Sequence, residues 1–239
     1  MATERVLATA TLLASLPHLA LARIVEALRL PGPLADLRKC ISVVDCAIRP
    51  ESTTLTRALI LAEDHRSSLH PGIDPIGIAR AALAWVFSRQ VQGASTIEQQ
   101  FVRTVTGRYQ RSMGRKLREQ IVAVLLCRHR SKEAVCSAYL SVAFFGHQCV
   151  GVSSALGLIG VDERAVDEVT ALELMAWLKY PRPKNPSIAW KTKIDRRTAY
   201  LESRNHWTAN KAIQRTAQTV TQTASAIWPP VRSAADRRR

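Results

Sequence analysis

Gly93-Ala94-Ser95-Thr96-Ile97-Glu98-Gln99-Gln100-Phe101-Val102-Arg103 is the stretch on which the fold turns. Gly93 interrupts the pattern before it. Ser95 stands three residues ahead of Glu98, and Thr96 three ahead of Gln99. These are two overlapping capping boxes, so a helix starts here. Helical signals continue on both sides. Upstream, Asp74-Pro75 offers an N-cap acceptor followed by proline at the first helical position, and Ile76 to Ser88 follows with apolar residues on one face. Downstream, Leu117, Ile121, Val124, Leu125 and Arg128 describe an amphipathic helix. Ser131 can cap the next helix, which carries Val135, Tyr139, Leu140 and Val142 and stops near Gly146. Thr170 with Glu173 forms another capping box, and that helix must end near Tyr180, before Pro181 and Pro183. No stretch alternates with period two between turn signals. The expected class is mainly α.

The chain has 239 residues, 47% apolar and 22% charged, which permits a sizeable core and excludes wholesale disorder. The formal net charge is +15, which predicts polyanionic partners: nucleic acid, phosphorylated substrates or an anionic membrane surface. Aromatic residues are only 5%, which argues against base stacking on nucleic acid. The charge is concentrated. Arg103 to Lys132 holds nine Lys/Arg against the single acid Glu119, and Ser203 to Arg239 holds seven against the single acid Asp236. The five cysteines (Cys40, Cys46, Cys127, Cys136 and Cys149) are odd in number and form no CxxC. That excludes a full disulfide framework without a leftover thiol and argues against zinc. Cys127 and Cys136 lie in apolar helical patterns and read as small core residues.

Three units are expected: an N-terminal segment over residues 1–50, a central domain over 51–202 and a basic tail over 203–239. Val6 to Ala22 is uncharged but contains Thr9, Thr11, Ser15, Pro17 and His18. A membrane anchor, an uncleaved signal and an amphipathic core helix are all open for it. The tail reads either as a solvated terminus or as a patch for anionic lipid.

Three segments could carry chemistry. The first is Ala62-Glu63-Asp64-His65-Arg66-Ser67-Ser68-Leu69-His70-Pro71-Gly72-Ile73-Asp74. The second is the capped stretch Gly93 to Arg103. The third is Arg111-Ser112-Met113-Gly114-Arg115-Lys116-Leu117-Arg118-Glu119. Each has a plain alternative. Glu63 or Asp64 could pair with Arg66 or His70 on the surface. Ser-Thr-x-x-Gln is a helix cap, although a cap does not require Gln99 and Gln100 together. The basic run could be a solvated helix face.

Together and in this order, the segments resemble the first three motifs of glycosyltransferase family 51, the peptidoglycan transglycosylases. The matches are Glu63-Asp64 with His70-Pro71-Gly72-Ile73-Asp74, then Gly93 to Gln100, then Arg115-Lys116-Leu117-Arg118-Glu119. A fourth motif is similar to Lys132 to Gly146, through Tyr139-Leu140 and Phe145-Gly146. A fifth is similar to Leu172 to Pro186. The resemblance spans about Leu55 to Pro186. Ser67 replaces a family aromatic, Ser141 a family Asn, and Arg103 a family Lys. Arg keeps the charge but changes the geometry.

The resemblance implies a lysozyme-like helical fold and polymerisation of lipid II. A sugar hydroxyl attacks the donor's anomeric carbon with inversion, and undecaprenyl diphosphate leaves. Glu63 matches the family's general base, a role favoured by a carboxyl pKa raised through burial. Glu119 matches the second glutamate, which implies a nearby divalent metal, magnesium or manganese. Ser95, Thr96, Gln99, Arg103, Arg111, Arg115, Lys116 and Arg118 are the expected substrate and diphosphate ligands, since cations at a leaving diphosphate lower the barrier. Arg115 and Glu119 are i, i+4 neighbours, whereas Lys116 is expected to point elsewhere. Asp64, His70 and Gln100 are expected to support the site; His70 has no obvious partner. The implied partners are lipid II, the growing glycan strand, an anionic membrane surface and a cell-wall synthesis complex, at the outer face of a bacterial inner membrane. Nucleic acid is not expected. A homologue weakened by Ser67 and Ser141 is the alternative, and a lysozyme-like hydrolase is disfavoured by the basic residues around Glu119.

Overall fold

The structure, a computed structural model, describes residues 2–47, 52–89 and 93–204. Most of the expected basic tail and the expected boundary near residue 50 lie outside these residues. The described residues form ten α-helices and one small hairpin. The helices are α1 (Ala2–Ala27), α2 (Pro31–Cys46), α3 (Thr53–Glu63), α4 (Pro75–Ser88) and α5 (Ile97–Thr106). They continue with α6 (Met113–His129), α7 (Lys132–Val142), α8 (Val152–Ile159), α9 (Glu168–Lys179) and α10 (Ile188–Ser203). The mainly α class holds, and the arrangement is consistent with a lysozyme-like domain.

Side-chain caps set most helix starts. Asp74 accepts from Gly77 N at 2.9 Å, Thr96 from Gln99 N at 3.3 Å, and Ser112 from Arg115 N at 3.2 Å. Ser131 accepts from Ala134 N at 3.2 Å. Each satisfies an amide that the first helical turn would leave unpaired. Two expected starts shift. Thr96 alone caps α5, and Glu98 turns away to Lys132 instead of closing a box with Ser95. Asp167, not Thr170, caps α9, accepting from Thr170 N at 2.8 Å. A carboxylate three residues earlier takes the amide that the Thr170–Glu173 box would have used.

The core centres on α6, whose run Ile121 to Leu126 is wholly buried. Helices α1, α2 and α5 pack against it, while α9 packs between α3 and α10. α1 continues through Pro17. It lays Leu19, Ala22 and Val25 on the core, and leaves Leu13, Leu16 and Ile24 exposed on its other side. It is long and apolar enough to cross a membrane.

A hairpin that no alternation announced joins β1 (Phe144–Gly146) to antiparallel β2 (Cys149–Val150). Strands of three and two residues are too short to show a period. All five cysteines are free. Cys136 is buried as expected, and burial with the nearby Asp36 carboxylate pushes the Cys40 thiol up to about 12.

Candidate active site

The first turn of α5 sets the geometry of the site. Neighbouring residues on a helix point about 100° apart, so Gln99 and Gln100 face different elements. Gln100 donates to Glu63 Oε2 at 3.0 Å and accepts from the Tyr139 hydroxyl at 2.9 Å. Gln99, fully buried, accepts from Lys116 Nζ at 2.6 Å. One helical turn therefore touches both expected glutamate centres.

Glu63 is the last residue of α3. Burial pushes its carboxyl above the ordinary glutamate value, and the Gln100 hydrogen bond with the charges of Arg197 and Lys179 only partly offsets this. Burial also pushes up the Tyr139 phenol, which keeps it a hydrogen-bond donor to Gln100. A cleft opens beside Glu63, walled by Arg66, Asp74 and Arg80 on one side and by Gly93 to Thr96 on the other.

Beneath Glu63 lies a buried charge network. His70 Nε2 sits 3.0 Å and 3.1 Å from the two Asp64 oxygens. His70 Nδ1 receives the Gly72 amide at 3.3 Å and faces Lys132 Nζ at 3.5 Å. With Nδ1 an acceptor, Nε2 carries the proton that Asp64 accepts. Asp64 also accepts from Ile97 N at 3.3 Å, at the start of α5. Burial alone would raise the Asp64 carboxyl, but His70, Lys132 and the Ile97 amide hold it below the usual range. Lys132 donates to the buried Glu98 at 2.6 Å. His70, expected to lack a partner, is thus tied on both ring nitrogens.

The second centre is Glu119, buried on α6. Arg115 reaches its Oε2 and Lys116 its Oε1, each at 2.5 Å. Lys116 also donates to Ser95 Oγ at 3.0 Å. Lys116 therefore does not point elsewhere, as expected from i, i+4 spacing alone: Glu119 lies three residues on, and i, i+3 residues share a helix face. Burial lowers the Lys116 ammonium, with Glu119 opposing.

The other expected ligands separate. Arg103 lines a small cavity with Arg108, Arg115 and Glu119. Arg118 borders that cavity too, but donates through Nε to the buried Asp36 of α2 at 2.6 Å. Arg111 is exposed on the connection before α6. Thr96 donates to Gly72 O at 2.8 Å as well as capping α5. Ser67 is buried, and the exposed Ser141 spends its hydroxyl on Ala138 O at 2.8 Å.

A divalent ion beside Glu119 would compete with two cationic side chains. Both carboxylate oxygens already hold cationic side chains, and an ion would have to displace Arg115 or Lys116. Among the described residues, the three-ligand cluster is Asp64, His70 and Glu98, whose ligand atoms lie within 4.8 Å of one another. Lys132 Nζ already stands against two of its members. Glu98, Lys132, Tyr139 and Arg197 carried no site expectation, because their partners lie far away in sequence: 39 residues separate Gln100 from Tyr139.

The family whose description is Transglycosylase matches residues 42–205. The chain belongs to the transglycosylase family. Among curated relatives, penicillin-binding protein 1A of Rickettsia prowazekii is 32% identical over 157 residues, 63% of this chain and 20% of that protein. Penicillin-binding protein 1A of Escherichia coli is 31% identical over 151 residues, covering 62% of this chain and 18% of the relative. The Haemophilus influenzae protein of that name is 34% identical over 151 residues, again 62% and 18%. The chain thus spans about a fifth of the length of these relatives. The expected enzyme class, a glycosyltransferase, follows from the transglycosylase family.

Proposed function

We propose that this chain polymerises lipid II into glycan strands. The acceptor sugar hydroxyl forms a bond to the donor's anomeric carbon, the bond to the diphosphate oxygen breaks with inversion, and Glu63 takes the hydroxyl proton. The observation that carries this reading is the first turn of α5, which orients Glu63 through Gln100 and the Lys116–Glu119–Arg115 cluster through Gln99. A carboxyl raised by partial burial suits a base working near neutral pH. Lys116, Arg115 and Arg103 put cationic charge where negative charge would develop on a leaving diphosphate. Asp64, His70 and Lys132 do no proton transfer here; they fix the chain at Glu63 to the start of α5.

A lipid-linked substrate implies a membrane-bound enzyme. The exposed apolar faces of α1 and α4, which touch each other, support docking on lipid at the outer face of the inner membrane. Trp85 is 53% and Phe87 80% exposed on α4, too large a patch to leave to water without a partner. The growing strand and a cell-wall synthesis complex are the remaining partners under this reading.

The test is polymerisation of lipid II by the full chain beside Glu63→Gln. Loss of product with retained lipid II binding is expected. Undiminished polymerisation by Glu63→Gln would sink the assignment of the base. Binding without turnover by the unaltered chain would favour the weakened homologue instead, the reading that Ser141, exposed and bonded only within its own helix, supports.

A further inference from the structure

A second cleft, of about 560 Å³, opens between the hairpin turn, α8 and the chain after α9. His147, Gln148, Ser154, Gly157, Leu158, Arg182 and Lys184 line it. It contains no acid, and its size is that of a small-ligand site.

Its walls are rigid. Arg182 N donates to Phe145 O at 2.9 Å, and His147 N donates to Arg182 O at 2.7 Å. Gly146 allows this close approach: a Cβ there would overlap the Arg182 backbone. The Arg182 guanidinium lies 5.9 Å from the centre of the Trp177 ring, and Trp190 Nε1 holds Tyr180 O at 3.0 Å just upstream. The Arg182 guanidinium is thus positioned before any ligand arrives, which lowers the cost of binding.

The lining is selective in kind. Arg182 offers a planar fork and Lys184 a point charge. Gln148 and Ser154 can meet amide groups, and Leu158, 49% exposed, can meet a small apolar side chain. Cations, amide partners and an apolar contact together suit an acidic peptide better than bare phosphate, for which amide and apolar partners are wasted. The chain that lines the cleft also leads to the proposed chemistry. Lys179, whose charge acts on Glu63, is three residues before Arg182. Three residues reach at most about 10 Å.

We infer that this cleft binds carboxylates of an acidic peptide, and that the peptide is the one carried by the sugar–lipid substrate or its product strand. The second half of this inference rests on the polymerase reading above; the first does not.

Binding to the full chain separates them. The probes are a soluble acidic pentapeptide with free carboxylates, the same peptide fully amidated, and inorganic phosphate, followed by calorimetry or NMR. The acidic peptide should bind at least tenfold tighter than the amide, and phosphate should not displace it at equal concentration. Arg182→Gln with Lys184→Gln should weaken binding at least about tenfold, since the loss of even one good charge-assisted pair costs that much. Gly157→Tyr should block the cleft while keeping both cationic residues, and its Cβ meets nothing within 4 Å. Equal binding of acid and amide, displacement by phosphate, or unchanged binding in both variants would overturn the site. If the site binds, lipid II turnover follows: the double variant should raise KM about tenfold for the acidic-peptide substrate with kcat kept, and leave the amidated substrate unchanged. An equal effect on both substrates would overturn the link to the substrate while leaving the peptide site and the polymerase reading standing.

Discussion

Replacing Lys116 by Met should cost about 2 kcal/mol of folding stability, and the structure gives the terms. The three N–H donors of the ammonium meet three acceptors, Glu119 at 2.5 Å, Gln99 at 2.6 Å and Ser95 at 3.0 Å. Gln99 is fully buried and its Nε2 already lacks a partner, so losing Lys116 strands both ends of its amide. A buried group left unpaired costs about 1–3 kcal/mol. Glu119 loses one of two cations but keeps Arg115, so the full penalty of an unpaired buried charge does not apply. Ser95 is partly exposed and finds water. Two facts reduce the sum: the Lys116 side chain is 28% exposed, so water can enter, and the ammonium itself is disfavoured by burial. About 2 kcal/mol in a domain of this size lowers Tm by about 4–8 °C. The assay is urea unfolding followed by circular dichroism, on wild type, Lys116→Met, Glu119→Gln and the double variant. The double variant should lose less than the two singles together, by about 1–2 kcal/mol. A Lys116→Met protein within 0.5 kcal/mol of wild type, or strictly additive losses, would refute the reasoning, because both outcomes mean the three contacts do not hold the ammonium in solution.

Three further outcomes are expected. Gln100→Leu removes a hydrogen bond that favours ionised Glu63, so its raised carboxyl rises further; a base must be deprotonated, so the acid limb of the pH–rate profile for lipid II polymerisation moves to higher pH. An acid limb that stays in place would show that Glu63 is not the titrating base. Lys132→Met leaves the buried Glu98 charge unpaired and should cost about 3 kcal/mol, most of it recovered when Glu98 also becomes Leu; urea midpoints for the single and double variants check this. Gly146→Ala drives a methyl into the Arg182 backbone at a φ of +147°, so its Tm should fall by an amount equivalent to about 2–3 kcal/mol, whereas Gly157→Ala in open space should not lower it.

Much of the site was legible along the chain because its parts are local. Thr96 caps α5 through an amide three residues away, and Arg115 meets Glu119 one turn on; both follow from helix geometry alone. The Asp74-Pro75 start and the Ser131 cap follow the same rule. What failed to appear also has a physical reason. Lys116 and Glu119 stand i, i+3, which shares a helix face as i, i+4 does, so weighing the i, i+4 pair alone leaves this contact out. Arg118, placed with the diphosphate ligands by its neighbours, donates to Asp36, which lies 82 positions earlier. His70 met Lys132 only when α7 brought it near, although Asp64 and the Gly72 amide are local partners.

The sequence by itself determined that the chain is helical, that its charge is concentrated around Glu119, and that its motifs are those of a transglycosylase. The first two are properties of spacing and composition, and the third is a resemblance carried by ordered residues; all survive without a third dimension. The tertiary structure decided which charges meet. It separated Gln99 and Gln100 onto two glutamate centres, gave Arg118 to Asp36, and used Lys132 to balance a buried acid. It also built the second basic cleft from a hairpin turn, α8 and a proline-rich turn, none of which signals the others in the sequence. Those pairings depend on distances between helices, and a linear pattern records only distances along one.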